Sequence, residues 1–207
     1  MKRSGVALAI LGLVLFAMPA SAQDAHDGAE AYKLCAGCHG FSGEGNQVVD
    51  APSLAGRESW YLERQIRNFR DGIRGHSEDD SPGRNMAAMM AGLTSDEEIL
   101  DIVAYIETLP AATHESTVDG DAGNGQTVYA TCVACHGAQG EGNAALNAPA
   151  LNGIEDWYQL AQLEKYRNGT RGGDSADAYG MQMAPMARAL GDEQAMRDVV
   201  AYIASLE

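Results

Sequence analysis

The residues best suited to chemistry in this chain form two copies of a five-residue motif, Cys-x-x-Cys-His. The copies are Cys35-Ala36-Gly37-Cys38-His39 and Cys132-Val133-Ala134-Cys135-His136. Two thiols at this spacing can reach the two vinyl groups of a haem, while the histidine that follows presents its imidazole to the iron. The motif therefore predicts two covalently bound c-type haems, attached through Cys35, Cys38, Cys132 and Cys135, with His39 and His136 as iron ligands.

A Cys-x-x-Cys pair alone is also compatible with half of a zinc site or with a thioredoxin-like redox pair. Neither alternative requires a histidine directly after the second cysteine, and here that histidine occurs twice. The two motifs use all four cysteines. We therefore expect no structural disulfide.

The first 22 residues have the pattern of a secretory signal peptide. Lys2 and Arg3 precede an apolar run from Val6 to Ala17, and Ala20-Ser21-Ala22 forms an A-x-A cleavage site. The run is too short to span a bilayer comfortably. We expect residues 1–22 to be removed, the mature chain to begin near Gln23, and the product to be periplasmic, soluble and at most peripherally attached to a membrane.

The chain is strongly acidic. Removal of Lys2 and Arg3 would leave 12 basic against 29 acidic side chains, a formal charge of −17. This charge disfavours nucleic acid and anionic membrane surfaces as partners. It favours redox protein partners with basic docking patches, at rates that fall as salt rises.

The elements that position the motifs occur twice, because a shift of 97 residues aligns the two halves without a gap. Gly43-Glu44-Gly45-Asn46 falls on Gly140-Glu141-Gly142-Asn143, for example, and Val103-Ala104-Tyr105-Ile106 falls on Val200-Ala201-Tyr202-Ile203. Residues 110–121 are rich in Pro, Ala, Thr, Ser and Asp and have no apolar period, which indicates a linker. We predict an N-terminal domain over 23–109 and a C-terminal domain over 122–207.

Each unit is predicted to be all-α, because no stretch alternates apolar and polar residues as strands do. Helices are expected from about Gly28 into the motif, over Glu58–Asp71 and from about Ser95. The second should bury Trp60, Ile66 and Phe69. The third has its apolar face at Ile99, Ile102, Val103, Ile106 and Leu109.

The start of that last helix is marked by Thr94 or Ser95, each with a glutamate three residues later, and the copy has Gly191-Asp192 there.

Three short helices in about 90 residues bury little apolar surface. We expect the haem to form the centre of each core and the apoprotein to be poorly folded.

Methionine is the paired candidate for the second iron ligand. His26, His76 and His114 have no counterpart under the 97-residue shift, and we expect them to be surface residues. Two methionine pairs align, Met86 with Met183 and Met89 with Met186. Each methionine is also compatible with simple core packing. One of each pair is expected to be a ligand, and His/Met ligation would leave no open position and raise the reduction potential, as suits an electron carrier.

Each half resembles a class I cytochrome c domain, with C-x-x-C-H after a Gly-x-x-x-Tyr helix, then Pro-x-Leu, then Met, then a helix bearing Val-Ala-Tyr-Ile. Two such halves in one exported chain resemble the class IC dihaem cytochromes c, the c-four group. The resemblance implies two tandem domains, each a few helices wrapped around a haem, with the two haems near each other across the domain interface. It also implies Met86 and Met183 as the iron ligands, Met89 and Met186 as packing residues, and the carbonyls of Pro52 and Pro149 as acceptors of the Nδ1 protons of His39 and His136.

The resemblance further implies that the first and last helices cross, Gly28 and Tyr32 meeting Ile102 and Tyr105, and Gly125 and Tyr129 meeting Val199 and Tyr202. Two interpretations stay open for the paired basic residues, which are either partners of the haem propionates or solvated helix ends. These residues, with the tryptophans that accompany them, are Arg70, Arg74, Arg167, Arg171, Trp60 and Trp157. The gapless repeat is more symmetric than this group leads us to expect, so distinct donor and acceptor faces are not assigned.

The leading hypothesis is a carrier that passes single electrons from a quinol-oxidising complex or a dehydrogenase to a terminal oxidase or similar acceptor, without catalytic residues. One alternative is a haem subunit of a larger dehydrogenase or oxidase complex. Another is a dihaem enzyme, such as a peroxidase or a sulfur-oxidising cytochrome, which would need an open iron position. The sequence leaves the partners, the two potentials and the oligomeric state undetermined.

Overall fold

The computed structural model describes residues 24–206, and the predicted signal peptide over 1–22 lies outside them. Within the described range the regular secondary structure is helical, so the all-α class is confirmed. The N-terminal domain contains α1 (Ala25–His39), α2 (Ser59–Arg70), α3 (Ser81–Met90) and α4 (Asp96–Glu107). The C-terminal domain contains α5 (Ala122–Tyr129), α6 (Val133–His136), α7 (Asp156–Asn168), α8 (Ala178–Arg188) and α9 (Glu193–Ala204).

The first and last helices of each domain cross at a glycine. A Cβ atom on Gly28 would lie 1.9 Å from the Asp101 carbonyl oxygen, and one on Gly125 would lie 1.9 Å from that of Asp198. One turn later the rings of Tyr32 and Tyr105 pack with their centroids 5.1 Å apart. The absence of a side chain at the glycine thus lets the helix that carries the haem motif touch the backbone of the last helix.

The apolar face predicted for the last helix forms the centre of the N-terminal core. Ile99, Ile102, Val103 and Ile106 are buried in α4, and Leu109 packs against them. In α2 the buried residues are Leu62, Ile66 and Phe69, whereas Trp60 is only partly buried. The expectation for Trp60 was wrong because the spacing of Leu62, Ile66 and Phe69 defines the inward face. Trp60 lies beside it, under the Arg64 guanidinium at 4.8 Å.

Each domain has one helix that the sequence reasoning missed, α3 and α8. Both begin after a buried aspartate, Asp80 or Asp177, whose carboxylate accepts a hydrogen bond from the backbone N–H of Gly83 or Gly180 at 2.9 Å. Such a cap satisfies one of the free N–H groups of the first turn. Both helices carry the paired methionines, which therefore lie on rigid elements and not in an irregular segment.

The two domains differ at the haem motif. Helix α1 runs without a break into His39, whereas the equivalent stretch is divided into α5 and α6. Thr131 stands at the break, and its hydroxyl donates to the Val128 carbonyl at 3.1 Å. A β-branched residue that bonds its own backbone disfavours a continuous helix. For the last helix, Ser95 and Asp192 are the observed N-caps.

None of the helices within residues 24–206 is both long enough and apolar enough to cross a membrane.

Replacing Gly28 by Ala should destabilise the holoprotein by about 3 kcal/mol, because the new Cβ would overlap the Asp101 carbonyl. Gly37→Ala is the matched control. It lies on the same helix, a Cβ added there would have nothing within 4 Å, and the second motif has Ala134 at this position. This control should be neutral or stabilising by up to about 1 kcal/mol. Denaturant unfolding of both variants measures the difference, and equal stabilities would contradict the close crossing.

Candidate haem sites

Both motif histidines are buried and oriented by a carbonyl group. His39 Nδ1 donates to the Pro52 carbonyl at 2.7 Å, and His136 Nδ1 donates to the Pro149 carbonyl at 2.8 Å. Because a carbonyl can only accept, the proton lies on Nδ1 and Nε2 is left free to bind a metal. Burial lowers the pKa of His39, although the Pro52 hydrogen bond and the charge of Glu155 oppose it. The imidazole is thus held neutral, as iron ligation requires.

The Gly-Glu-Gly-Asn segment after each motif holds the proline carbonyl in place. In the N-terminal domain Gly45 N–H donates to the His39 carbonyl at 2.8 Å, and Asn46 pairs with Ala51 through two backbone hydrogen bonds. The Glu44 carboxylate accepts from Ser42 N–H at 2.8 Å and fills the space beside Gly40. The same contacts recur 97 residues later, for instance Gly142 N–H to the His136 carbonyl at 2.8 Å. The repeated segment therefore sets the distance between histidine and carbonyl.

No disulfide joins any of the four cysteines within residues 24–206; Cys38 and Cys135 are exposed, and Cys35 and Cys132 are half-buried. Within residues 24–206, no three His, Cys, Asp or Glu side chains are grouped so that they could hold a metal ion.

A mostly apolar cavity lies in the C-terminal domain, and its wall includes Cys132, Cys135 and His136. Residues of the N-terminal domain complete the wall, namely Tyr61, Arg64 and Gln65. Met183 and Met186 also line it, together with apolar side chains of α7 and α9. Two thiols, an imidazole and a thioether around one apolar space are the donor set that a c-type haem needs, so these residues fit the group. In the N-terminal domain, Cys35 and Met86 both pack against the hydrophobic core.

The methionine pairs differ in exposure. Met89 and Met186 are 40% and 44% exposed, whereas Met86 and Met183 are partly buried. Met186, although more exposed, lines the cavity together with Met183.

The domains meet around two buried arginines. Arg74 donates to Gln65 of its own domain at 2.8 Å and, across the interface, to Tyr158 at 3.1 Å and Gln162 at 2.8 Å. Although burial raises the pKa of Tyr158, the charges of Arg74 and Arg171 lower it overall.

Arg171 makes the corresponding contacts from the other side. It donates to Gln162 of its own domain at 2.9 Å and to Tyr61 and Gln65 of the N-terminal domain at 3.0 Å each. The two networks are related by the 97-residue shift, so the interface has approximate two-fold symmetry.

These contacts divide the paired arginines into two kinds, those buried at the interface and those at helix ends. Arg74 and Arg171 are buried at the interface, and the Nε atom of each is buried without a hydrogen-bond partner among the described residues. Arg171 also lines the C-terminal cavity, where an acidic haem substituent would complete its bonds. Arg70, in contrast, pairs with Asp71 and Asp96 at the end of α2, which matches the interpretation as a helix end.

The other paired residues, Arg167, Trp60 and Trp157, make mainly local contacts. Arg167 is half-buried on α7, and its carbonyl accepts from Arg188 Nε at 3.3 Å. Trp60 and Trp157 each pack edge-on against the tyrosine that follows them, with centroids 5.9 and 5.8 Å apart.

Two glutamates that sequence reasoning did not single out also cross the interface. Glu155, 5% exposed, accepts from Ser53 N–H at 2.7 Å and Ser53 Oγ at 3.1 Å. Glu58 accepts from Ala150 N–H at 2.7 Å. Glu58 and Glu155 align under the 97-residue shift, so the repeat could have identified them.

The linker histidine was placed wrongly by the sequence. His26 and His76 are exposed as expected, but the His114 side chain is only 12% exposed and its Nδ1 lies 3.9 Å from Glu155 Oε1. The linker also contacts the C-terminal domain, since Val118 N–H donates to Asp156 at 2.7 Å. Burial of His114 thus depends on tertiary packing of a segment that has no apolar pattern.

A family model described as cytochrome c matches residues 25–110 and again residues 122–207. The chain belongs to the cytochrome c family. The resemblance to dihaem cytochromes c of the c-four group is confirmed. The crystal structure of reduced recombinant cytochrome c4 from Pseudomonas stutzeri superposes with a TM-score of 0.67 at 27% identity, covering 88% of this chain and 98% of that one.

Two other similar proteins have thiosulfate dehydrogenase in their names. The protein named thiosulfate dehydrogenase electron acceptor, from Stutzerimonas stutzeri (strain A1501), is 31% identical over 96% of this chain and 94% of its own length. The structure of thiosulfate dehydrogenase (TsdBA) from Marichromatium purpuratum gives a TM-score of 0.70 at 30% identity over 87% of this chain. This chain spans only 40% of that longer one.

The prediction of two covalently bound haems c, one at each Cys-x-x-Cys-His motif, is confirmed by the two family matches and the cytochrome c4 likeness. This protein is a dihaem electron-transfer cytochrome. When bound, each haem supplies the one-electron couple, and the chain's own residues attach it, orient the histidine and exclude water.

Asp80 provides a pH test of the interface, because it caps α3 and also pairs with Lys165 of the other domain at 2.6 Å. Burial opposes ionisation, but the Lys165 and Gly83 hydrogen bonds lower the pKa of Asp80 overall. A lowered folded-state pKa means that the stabilisation is present above the unfolded value of about 4 and is lost as pH falls towards the folded one.

Asp80→Asn should therefore lower the stability of the holoprotein by about 1–2 kcal/mol at pH 7, with a smaller difference from the parent at pH 3. Asp177→Asn is the control, since Asp177 caps α8 in the same way and asparagine preserves a cap in both variants. Thermal unfolding from pH 3 to 7 measures the difference. An identical response of the two variants would contradict the role of the Lys165 pair.

Proposed function

We propose that this protein is a periplasmic carrier that passes single electrons between redox proteins through two haems, each ligated by one histidine and one methionine. The observation that carries this proposal is the C-terminal cavity, whose wall brings together both thiols, the oriented His136 and two methionines, Met183 and Met186. With both axial positions filled, the iron has no site for a substrate, and the soft thioether favours ferrous iron and a raised potential. These are the properties of a carrier.

The proposed ligands are His39 with Met86 in the N-terminal domain and His136 with Met183 in the C-terminal domain. The hydrogen bonds from Nδ1 to the carbonyls of Pro52 and Pro149 support the histidines, since they direct Nε2 towards the metal. Partial burial supports Met86 and Met183 over their more exposed neighbours Met89 and Met186.

The proposed location and boundaries follow from the sequence pattern. Cleavage after Ala22 would export a mature chain that begins near Gln23, with domains over 23–109 and 122–207 joined by residues 110–121. The helices of the described residues, which begin at Ala25 and at Ala122, are compatible with these boundaries.

For the electron donor, we propose a periplasmic dehydrogenase that oxidises an inorganic sulfur compound such as thiosulfate. The support is the Stutzerimonas stutzeri relative, which matches nearly the whole chain and is named as an electron acceptor of such an enzyme. The acidic surface suits a donor with a basic docking patch.

A haem subunit of a larger complex is the second candidate, because the TsdBA structure contains a region of the same fold within a chain more than twice as long. An enzymatic role such as a peroxidase would require an exchangeable iron ligand, which the paired, half-buried methionines disfavour.

Met86→Ala and Met183→Ala should each remove the methionine-to-iron charge-transfer band of one haem and lower that haem's reduction potential, because the thioether that stabilises ferrous iron is lost. Near-infrared absorption of the oxidised protein and a redox titration measure both effects. Met89→Ala and Met186→Ala are the matched controls and should retain both bands. If Met89→Ala and Met186→Ala removed the bands instead, Met89 and Met186 would be the iron ligands, and the protein would still be a carrier with His/Met-ligated haems.

Reduction of the oxidised protein by a thiosulfate dehydrogenase supplied with thiosulfate should slow as ionic strength rises from about 0.01 to about 0.5 M. Charge attraction across a docking interface is screened over about 10 Å at 0.1 M salt. Stopped-flow absorbance at the haem band measures the rate. A fast, salt-independent rate together with copurification at high salt would instead support the complex subunit.

A further inference from the structure

In each domain, one peptide group joins the motif histidine to a carboxylate of the other domain. The carbonyl of Pro52 accepts from His39 Nδ1 at 2.7 Å, and the N–H of the same peptide group, which belongs to Ser53, donates to Glu155 Oε1 at 2.7 Å. The result is a continuous hydrogen-bond chain from Glu155 in the C-terminal domain to His39 in the N-terminal domain.

The second domain repeats the arrangement in the opposite direction. His136 Nδ1 donates to the Pro149 carbonyl at 2.8 Å, and the N–H of that peptide group, on Ala150, donates to Glu58 Oε1 at 2.7 Å. The two chains are thus exchanged between the domains, each carboxylate lying behind the histidine of its neighbour.

We propose that Glu58 and Glu155 are positioning residues that lower the reduction potential of the haem in the opposite domain, acting through the Pro149–Ala150 and Pro52–Ser53 peptide groups. The proposal goes beyond electron transfer itself, but it rests on His39 and His136 being axial ligands as proposed above.

The physical basis is polarisation along the chain. A carboxylate that accepts from an amide N–H increases the negative charge on the carbonyl oxygen of that amide, and hydrogen bonds in series strengthen one another. A more negative carbonyl draws the Nδ1 proton more strongly, so the imidazole becomes a better electron donor to the iron. Electron donation stabilises ferric over ferrous iron, and the potential falls.

The charge of the carboxylate acts in the same direction. Ferric iron carries one more positive charge than ferrous iron, so a nearby anion favours the ferric state. Glu155 is 5% exposed, and a buried charge is screened less by water and salt than a surface charge.

The site around Glu155 is built to receive a carboxylate. Gly45 has a positive φ of 83°, and a Cβ there would lie 2.5 Å from Glu155 Oε1 and 2.6 Å from the Ser53 nitrogen, so glycine leaves space for both the carboxylate and the loop backbone. A buried anion costs desolvation free energy, and a neutral amide would join the domains at lower cost. The desolvation cost of a buried anion, which a glutamine would avoid, therefore favours a role for the charge over a role in domain association alone.

The two sites differ in their second carboxylate oxygen. Glu155 Oε2 accepts from Ser53 Oγ at 3.1 Å, whereas Ala150 stands at the equivalent position and Glu58 Oε2 has no hydrogen-bond partner among the described residues. In both sites Oε1 makes the bond to the peptide group, so glutamine can keep that bond while removing the charge.

The test uses the haem-loaded protein with Glu155→Gln and Glu58→Gln. Each substitution should raise the equilibrium constant for reduction of the haem in the opposite domain about threefold, which is about 28 mV for a one-electron couple at 59 mV per tenfold change. In the ¹H–¹⁵N NMR spectrum of the reduced protein, the Nδ1–H resonance of His39 should move upfield in Glu155→Gln, and that of His136 in Glu58→Gln. Haem resonances assigned to each domain and followed through the redox titration attribute each potential.

Two control variants distinguish the effect of this hydrogen-bond chain, called the relay below, from the effects of a surface charge and of a looser interface. Glu115→Gln removes one charge from an exposed linker position and should leave both potentials and both Nδ1–H resonances unchanged. Lys165→Met removes a different bond between the domains and should not reproduce the shift, which excludes loosening of the interface as its cause.

The proposal is overturned if either glutamine variant leaves the opposite haem unchanged, if the haem of its own domain shifts instead, or if Lys165→Met gives the same shift. If the unmodified protein lacked the spectrum of histidine-ligated haems, the proposed ligation would fail and the relay with it. Unchanged potentials in both glutamine variants of a normally ligated protein would overturn the relay alone.

Discussion

Covalent attachment of a haem to a short helix that ends in histidine is the constraint on which the rest of each domain depends. The helix must lie against the last helix, and Gly28 and Gly125 permit that approach to the backbone. The loop after the motif must return a proline carbonyl to the histidine, which the Gly-Glu-Gly-Asn segment achieves through backbone hydrogen bonds. Apolar side chains of the remaining helices then form the walls of the haem cavity.

The domain interface adds a second constraint, since buried polar and charged side chains form hydrogen bonds across it. Two buried guanidinium groups share glutamine and tyrosine partners from both domains, and carboxylates reach across to the loops behind both histidines. Such partners must be satisfied together, because a buried polar group without a bond is costly. The loop behind each histidine is therefore tied by hydrogen bonds to the opposite domain.

The sequence predicted the parts that depend on local pattern or on covalent chemistry. The haem motifs, the buried face of α4 and a cap at Thr94 or Ser95 follow from spacing within a few residues, and the duplication follows from the 97-residue shift. Helix α3 was missed because Pro82 and Gly83 stand in its first turn and its start depends on the buried cap Asp80. Interface residues were ambiguous for a different reason: whether Arg74, Arg171 or His114 is buried depends on the other half of the chain, which no local pattern encodes.

The most direct test of the central claim is a redox titration of the purified, unmodified holoprotein, followed by optical and EPR spectra. The account predicts two haems per polypeptide, both low-spin with histidine and methionine ligands in each oxidation state, and no binding of carbon monoxide to the ferrous protein at neutral pH. One haem per polypeptide, or a high-spin ferrous haem that binds carbon monoxide readily, would contradict it.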